Sequence, residues 1–263
     1  MAKLHVVAGA SETPVFPVVR RIGPADLKAA LAKGLDDFWA MPTHVVFVSL
    51  IYPIAGIVLA GLTLGYNVLP LLYPLASGFA LLGPFAALGL YELSRRRELG
   101  LRTDWKDAFE VLRAPSIGSI LGLGVLLFFI FLAWILSAKA LYQSLYGWHA
   151  PDSLVAFVGE VLTTRRGWTL LLLGNLIGFV FAVVVLTISV ISFPLLLDRD
   201  AGAAVAVATS VKAVLANPGT MALWGLIVAA LLVLGSLPAF VGLAVVMPVL
   251  GHATWHLYRR LVA

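Results

Sequence analysis

Cysteine is absent from this chain of 263 residues, and charged side chains are scarce, at 12% of the total. The first absence removes disulfides, cysteine-ligated zinc, iron–sulfur clusters and thiol nucleophiles together, and leaves the redox compartment open. The second excludes an ordinary soluble domain, in which about a quarter of residues are charged. The first forty residues contain no apolar core bracketed by a basic start and a small-residue cleavage site, so no removable leader is expected. No phosphate-cradling glycine loop, Ser-His-Asp arrangement or carboxylate pair in a polar cavity is readable. His252-Ala253-Thr254-Trp255-His256 lacks the glutamate that a zinc hydrolase of the His-Glu-x-x-His type needs as its base. Inside the apolar runs and away from the charged ends there is only Lys139 and no acid. Ion-coupled transport normally requires intramembrane ionisable groups, so it is disfavoured.

Hydrophobic residues make up 61% of the chain and the mean hydropathy is +1.02, which is the composition of a membrane protein. A bilayer core about 30 Å thick takes roughly 20 helical residues. Apolar runs of that length predict spans over 45–64, 68–91, 117–137 and 167–197, and residues 220–258 are read as two more, joined near Gly235-Ser236-Leu237-Pro238. The expected fold class is all-α: a polytopic membrane bundle of six transmembrane helices. Residues 1–23 read as an arm and 24–263 as one membrane domain.

Short amphipathic segments precede the hairpins. In 24–41, Leu27, Leu31, Leu35 and Phe38 share one helical face, with Lys33, Asp36 and Asp37 opposite, which predicts an interfacial helix. Asp104 is a predicted N-cap for a second segment, whose Trp105, Phe109 and Leu112 line one face. The third is Ala203 to Ala216. Of the 18 lysines and arginines, 15 fall on one side of the six-span arrangement, and only Lys139, Arg165 and Arg166 on the other. Positive charge marks the cytoplasmic side, so both ends are expected there. The charge lines the membrane edge, and no nucleic-acid partner is expected.

The layout reads as three hairpin repeats, about 24–100, 101–202 and 203–263, each an amphipathic segment, a proline, a span, a turn and a span with a late proline. Pro84 lies seven residues before Tyr91 and eleven before Arg95, Pro248 lies seven before Trp255 and eleven before Arg259, and Pro194 marks the same place in the middle unit. Such parallel repeats occur in several transporter folds. Gly122, Gly124, Gly174 and Gly178 are read as points of close helix packing.

Two groups of residues carry the candidate chemistry. His252 and His256 share a helical face, with His44 expected at the same membrane level. Imidazoles so placed could bind a cofactor such as haem or a metal, against the plainer reading of hydrogen bonds to carbonyls and headgroups. The second group is a polar cluster of Glu92, Asp198, Arg199, Asp200, Trp255 and Tyr258. Charges at membrane depth are costly unless paired, so an Arg199–Glu92 pair is expected. Trp255, Tyr258, Arg259 and Arg260 read as an interfacial anchor.

Three stretches, Gly89-Leu90-Tyr91-Glu92-Leu93-Ser94-Arg95, Ser192-Phe193-Pro194-Leu195-Leu196-Leu197-Asp198-Arg199-Asp200 and Gly251-His252-Ala253-Thr254-Trp255-His256-Leu257-Tyr258-Arg259, resemble a bacterial family of integral membrane proteins of unknown function. Some of its members are labelled cytochrome c oxidase subunits. The resemblance implies a bacterial inner (cytoplasmic) membrane location and transfers no activity. A catalytic haem–copper subunit has about twice as many spans, so the label would at most suit an accessory role. The expected function is therefore that of a non-enzymatic accessory or assembly component of a larger membrane complex, a respiratory oxidase included. Its partners would be the lipid bilayer and other membrane subunits, with no cofactor expected. The alternatives are a small-molecule or lipid-handling protein with a cytoplasmic-side cavity among His44, Glu92, Arg199, His252 and His256, and haem or metal binding through His252 and His256.

Overall fold

The computed structural model describes residues 17–41, 69–148, 151, 153–238 and 241–263. The first expected span and His44 lie outside the described residues. The helices are α1 (Pro24–Ala40), α2 (Leu72–Phe79), α3 (Gly83–Ala86), α4 (Leu88–Glu98), α5 (Ile117–Tyr146), α6 (Leu154–Thr163), α7 (Arg165–Ser189), α8 (Ser192–Asp198), α9 (Ala203–Ala216), α10 (Pro218–Ser236) and α11 (Leu243–Leu261). A 3-10 helix covers Trp105–Arg113. Among the described residues the only extended pairing is an isolated bridge between Val19 and Val262.

Among the described residues, four helical stretches are long and apolar enough to cross a membrane: Tyr73–Glu98, Ile117–Tyr146, Arg165–Asp198 and Pro218–Ser236. Helix α11 is not among them, because only its first half is apolar. From Leu250 onward its side chains are nearly all buried against protein, so hydropathy is a poor guide to its place.

The late prolines punctuate these stretches in a consistent way. Proline has no N–H to give to the carbonyl four residues back, and its ring crowds that carbonyl. Four residues before Pro84 is Ala80, where a 3-10 turn over Ala80–Leu82 interrupts the helix. Four before Pro194 is Val190, at the break between α7 and α8. Four before Pro248 is Ala244, in the first turn of α11.

The chain divides into two compact units. One comprises residues 1–50, 84–124 and 186–263. Within it, α4, α8 and α11 pack on one another. The short segments lie around them in a cyclic order: the 3-10 helix packs on α4, α9 on α8, and α1 on α11. Each seam is made where side chains are small. A Cβ on Gly34 of α1 would stand 2.6 Å from the backbone nitrogen of Ala253, one on Gly251 2.4 Å from Leu90, and one on Gly89 2.9 Å from Ala108. At the α8–α9 seam Ser210 donates to the Thr187 carbonyl at 2.8 Å and accepts from the Ile191 N–H at 3.2 Å.

Helix α1 departs from its expected orientation. Its buried residues are Leu27, Ala30, Gly34, Asp37 and Phe38, whereas Leu35 and Trp39 are exposed. Small residues at 30 and 34 let the α11 backbone approach; of the expected apolar stripe Leu27 and Phe38 are buried, Leu31 is half-buried and Leu35 is left on the outer side. Asp36 and Lys33 stay exposed as expected, but Asp37 is buried.

Residues 18–26 are bonded to Asn217 and to residues 260–263. The Arg20 N–H donates to the Leu261 carbonyl at 2.8 Å and the Ala263 N–H to that of Val18 at 3.1 Å. Asn217 accepts from the Ile22 N–H at 2.8 Å and donates to the Arg20 carbonyl at 3.1 Å. Arg260 reaches Asp26 at 2.5 Å.

The other unit comprises residues 51–83 and 125–185. Its centre is the buried Trp134, whose indole N–H donates to the Pro74 carbonyl at 2.8 Å. Gly78 and Gly178 both leave room for that indole, and Phe181 lies 5.8 Å from it. Tyr73 donates to Asn175 at 2.7 Å. Of the four expected packing glycines, Gly178 and Gly124 are at close approaches, the latter against Phe85 of its own unit; Gly174 makes an ordinary contact, and Gly122 has open space.

Candidate functional site

The burial of Asp37 is the key to the polar centre. A carboxylate removed from water needs donors on its oxygens, and three side chains supply them. Ser94 of α4 donates to Oδ2 at 2.6 Å, His256 Nε2 of α11 lies 2.8 Å from the same oxygen, and the Arg97 guanidinium donates to Oδ1. Ser94 Oγ also lies 2.8 Å from His252 Nδ1. Asp37, Ser94, His252 and His256 are all buried. Burial by itself raises the Asp37 carboxyl, but the hydrogen bonds from His256 and Ser94, with the charge of His256 and the Arg97 bond, outweigh it and hold the group below its ordinary 3.8.

A serine, a histidine and an aspartate thus do come together, contrary to what the sequence suggested, yet in an order that does not activate a nucleophile. In a hydrolase the histidine accepts the serine proton. Here Ser94 donates its hydrogen bond to the carboxylate instead, and it has no exposed surface. The cofactor candidates His252 and His256 have Nδ1 and Nε2, respectively, engaged with Ser94 and Asp37. Among the described residues no group of three or more histidine, aspartate or glutamate side chains is placed to hold a metal.

A second lattice joins the ends of α4, α8 and α11. Arg259 donates to Glu98 at 3.1 Å and reaches Asp198 at 3.5 Å, so one guanidinium spans two helices. Trp255 donates its indole N–H to Glu98 at 3.0 Å and Tyr258 its hydroxyl to Asp198 at 2.6 Å. These bonds allow both rings to be buried, with 1% and 0% exposure, which corrects their reading as an interfacial anchor. A polar ring edge with a carboxylate partner has no need of the headgroup layer.

The expected Arg199–Glu92 pair is not formed. Glu92 is held at both oxygens by Arg95, one turn along the same helix, at 2.8 and 2.9 Å. Arg199 lies 3.5 Å from its neighbour Asp198 and donates to the Ala263 carbonyl at 2.9 Å. Glu92, Asp198, Arg199 and Asp200 nevertheless meet around one cavity of about 370 Å³. Helix α4 contributes Glu92, Arg95 and Arg96; the segment before α5 contributes Glu110 and 113–116; the third wall is 196–200. Neither His252 nor His256 lines it.

Asp37, Ser94, Arg97, Glu98 and Arg259 were missed as site residues. One sequence signal existed: Ala30 and Gly34 are four apart, the small-x-x-x-small spacing of close helix contacts, and Asp37 follows on that face.

Residues 72–198 match the family model described as predicted integral membrane protein (DUF2189). Over that stretch the chain is similar to this family of unknown function. The match takes in the first of the three motifs that carried the resemblance and the second as far as Asp198; the third, 251–259, lies beyond it. No curated protein and no solved structure matches the chain.

Proposed function

We propose that this protein is a six-span component of the bacterial inner membrane, with both ends in the cytoplasm, that acts by association and not by catalysis, as an accessory or assembly part of a larger membrane complex. The observation that carries this reading is the interlocking of α4, α8 and α11 by Arg259, Glu98 and Asp198. A bundle clamped at its charged end is a rigid platform, with its serine, carboxylates and histidines engaged in holding helices together. The cyclic order of short segments on closing helices supports three hairpins of one orientation. The pairing of Val18 and Arg20 with residues 261–263 supports ends on the same side. Purification in mild detergent followed by cross-linking tests the role: co-purifying membrane subunits are expected, and a lone monomer under every mild condition would overturn it. The cavity of about 370 Å³ at the charged end favours a second reading, a site for a small molecule or lipid.

A further inference from the structure

We propose that the cavity walled by α4, the segment before α5 and residues 196–200 binds the head of a zwitterionic phospholipid, a phosphate carried together with a primary ammonium. This rests on the second reading above and names its ligand. Size is the first support, since small-ligand sites occupy about 300–1,000 Å³ and this cavity has about 370 Å³.

Charge is the second. The lining holds four arginines and four carboxylates. A purely basic lining would suit a bare anion, whereas a balanced one suits a ligand with both signs. On the cationic side Arg96 is the least committed: its Nη2 is 3.4 Å from Asp107, and its buried Nε has no hydrogen-bond partner among the described residues. Residues 114–116, which line the cavity, also lead into the N-terminus of α5, whose dipole favours negative charge there. On the anionic side Asp200 is exposed and has no ion pair among the described residues.

The third support distinguishes a lipid from a soluble ligand. The 3-10 segment that supplies Glu110 and Arg113 also presents Phe109 and Leu112 at 55% and 66% exposure, and α5, into which the lining residues 114–116 lead, exposes Leu121 in its second turn. Polar lining beside exposed apolar side chains matches a headgroup with its acyl chains.

The test is native mass spectrometry of the full chain released from nanodiscs containing equal phosphatidylethanolamine, phosphatidylcholine and phosphatidylglycerol. Preferential retention of phosphatidylethanolamine is expected, reduced roughly tenfold by Arg96→Gln and by Asp200→Asn, the equivalent of one charge-assisted hydrogen bond each. Melting in lipid-free detergent reports whether each variant folds; should Arg96→Gln fail, Arg96→Lys and Asp200→Asn carry the comparison. Stabilisation by soluble phosphoethanolamine with no retained lipid would support the phosphate-and-ammonium chemistry and place its source in solution. Preferential phosphatidylglycerol retention, lost in Arg96→Gln but not in Asp200→Asn, would overturn the zwitterion and leave the cavity reading standing. Retention of no probe would overturn both.

Discussion

Replacing Asp37 by alanine is the most discriminating single perturbation. The carboxylate leaves behind Ser94, fully buried, and His256, about a tenth exposed, both of which bonded to Oδ2. Arg97 is 40% exposed at its side chain, so water can replace its lost partner and it adds little. Breaking one side of a buried charged pair costs about 3–5 kcal/mol, and an unsatisfied buried hydrogen-bonding group about 1–3 kcal/mol. Because Ser94 keeps its contact with His252 at 2.8 Å, it is not left unsatisfied and adds nothing further, and the total stays at about 3–5 kcal/mol. At about 2–4 °C per kcal/mol for a chain of this size, melting in detergent should fall by about 6–20 °C. The control is the adjacent Asp36→Ala, which is exposed and should cost no more than about 0.5 kcal/mol. If the two variants melt together, Asp37 is not the buried hub, and the polar centre described above is wrong.

Acidity provides a second check. Since the folded Asp37 carboxyl is held below 3.8, the stability it contributes is complete above that value and is lost as pH falls through the lower folded one. The melting difference between wild type and Asp37→Asn should therefore close only below about pH 4; closure at neutral pH would contradict the assignment. Gly34→Ala would place a Cβ 2.6 Å from the Ala253 nitrogen, so a loss of about 1–3 kcal/mol is expected, measured by thermal melting and absent if the seam is loose. Arg199→Ala should change stability by less than about 1 kcal/mol, since its side chain is 40% exposed; a larger loss would revive the abandoned pair with Glu92.

Where the sequence was informative, it was through rules that act locally. Pro218 opens α10 and Pro24 opens α1, because proline suits a first helical turn. The third short segment is a helix from Ala203 to Ala216, the bounds expected for it. The second is a 3-10 helix, whose Asp104 cap is completed by Asp107. Helix α5 continues to Tyr146, nine residues past its expected end at 137, because Tyr142 and Tyr146 stack on each other and meet Phe157 of α6 within their own unit. What the sequence hid is the face by which α1 packs. Apolar periodicity pointed to Leu27, Leu31, Leu35 and Phe38, of which Leu27 and Phe38 are buried, but side-chain size decides how near a backbone can come, and that turned the buried face toward Ala30 and Gly34. The same rotation carries Asp37 inward, so the amphipathic pattern and the buried charge were a single error.

The three seams of the larger unit differ in how far apart in the chain their partners lie. The 3-10 helix packs on α4 and α9 on α8, neighbours joined by a few residues, and small side chains or one serine suffice there. The seam of α1 on α11 has to join residues more than 200 positions apart, as from Asp37 to His256 or from Asp26 to Arg260. Closing so long a loop costs entropy before any contact is made, and apolar packing alone would tolerate a slipped register. A buried carboxylate tolerates no slip, because moving α1 by one residue would strip Asp37 of its donors and leave a charge uncompensated. The charged hub therefore lies at the one seam that proximity in the chain cannot specify, where it fixes the register of the two ends against each other.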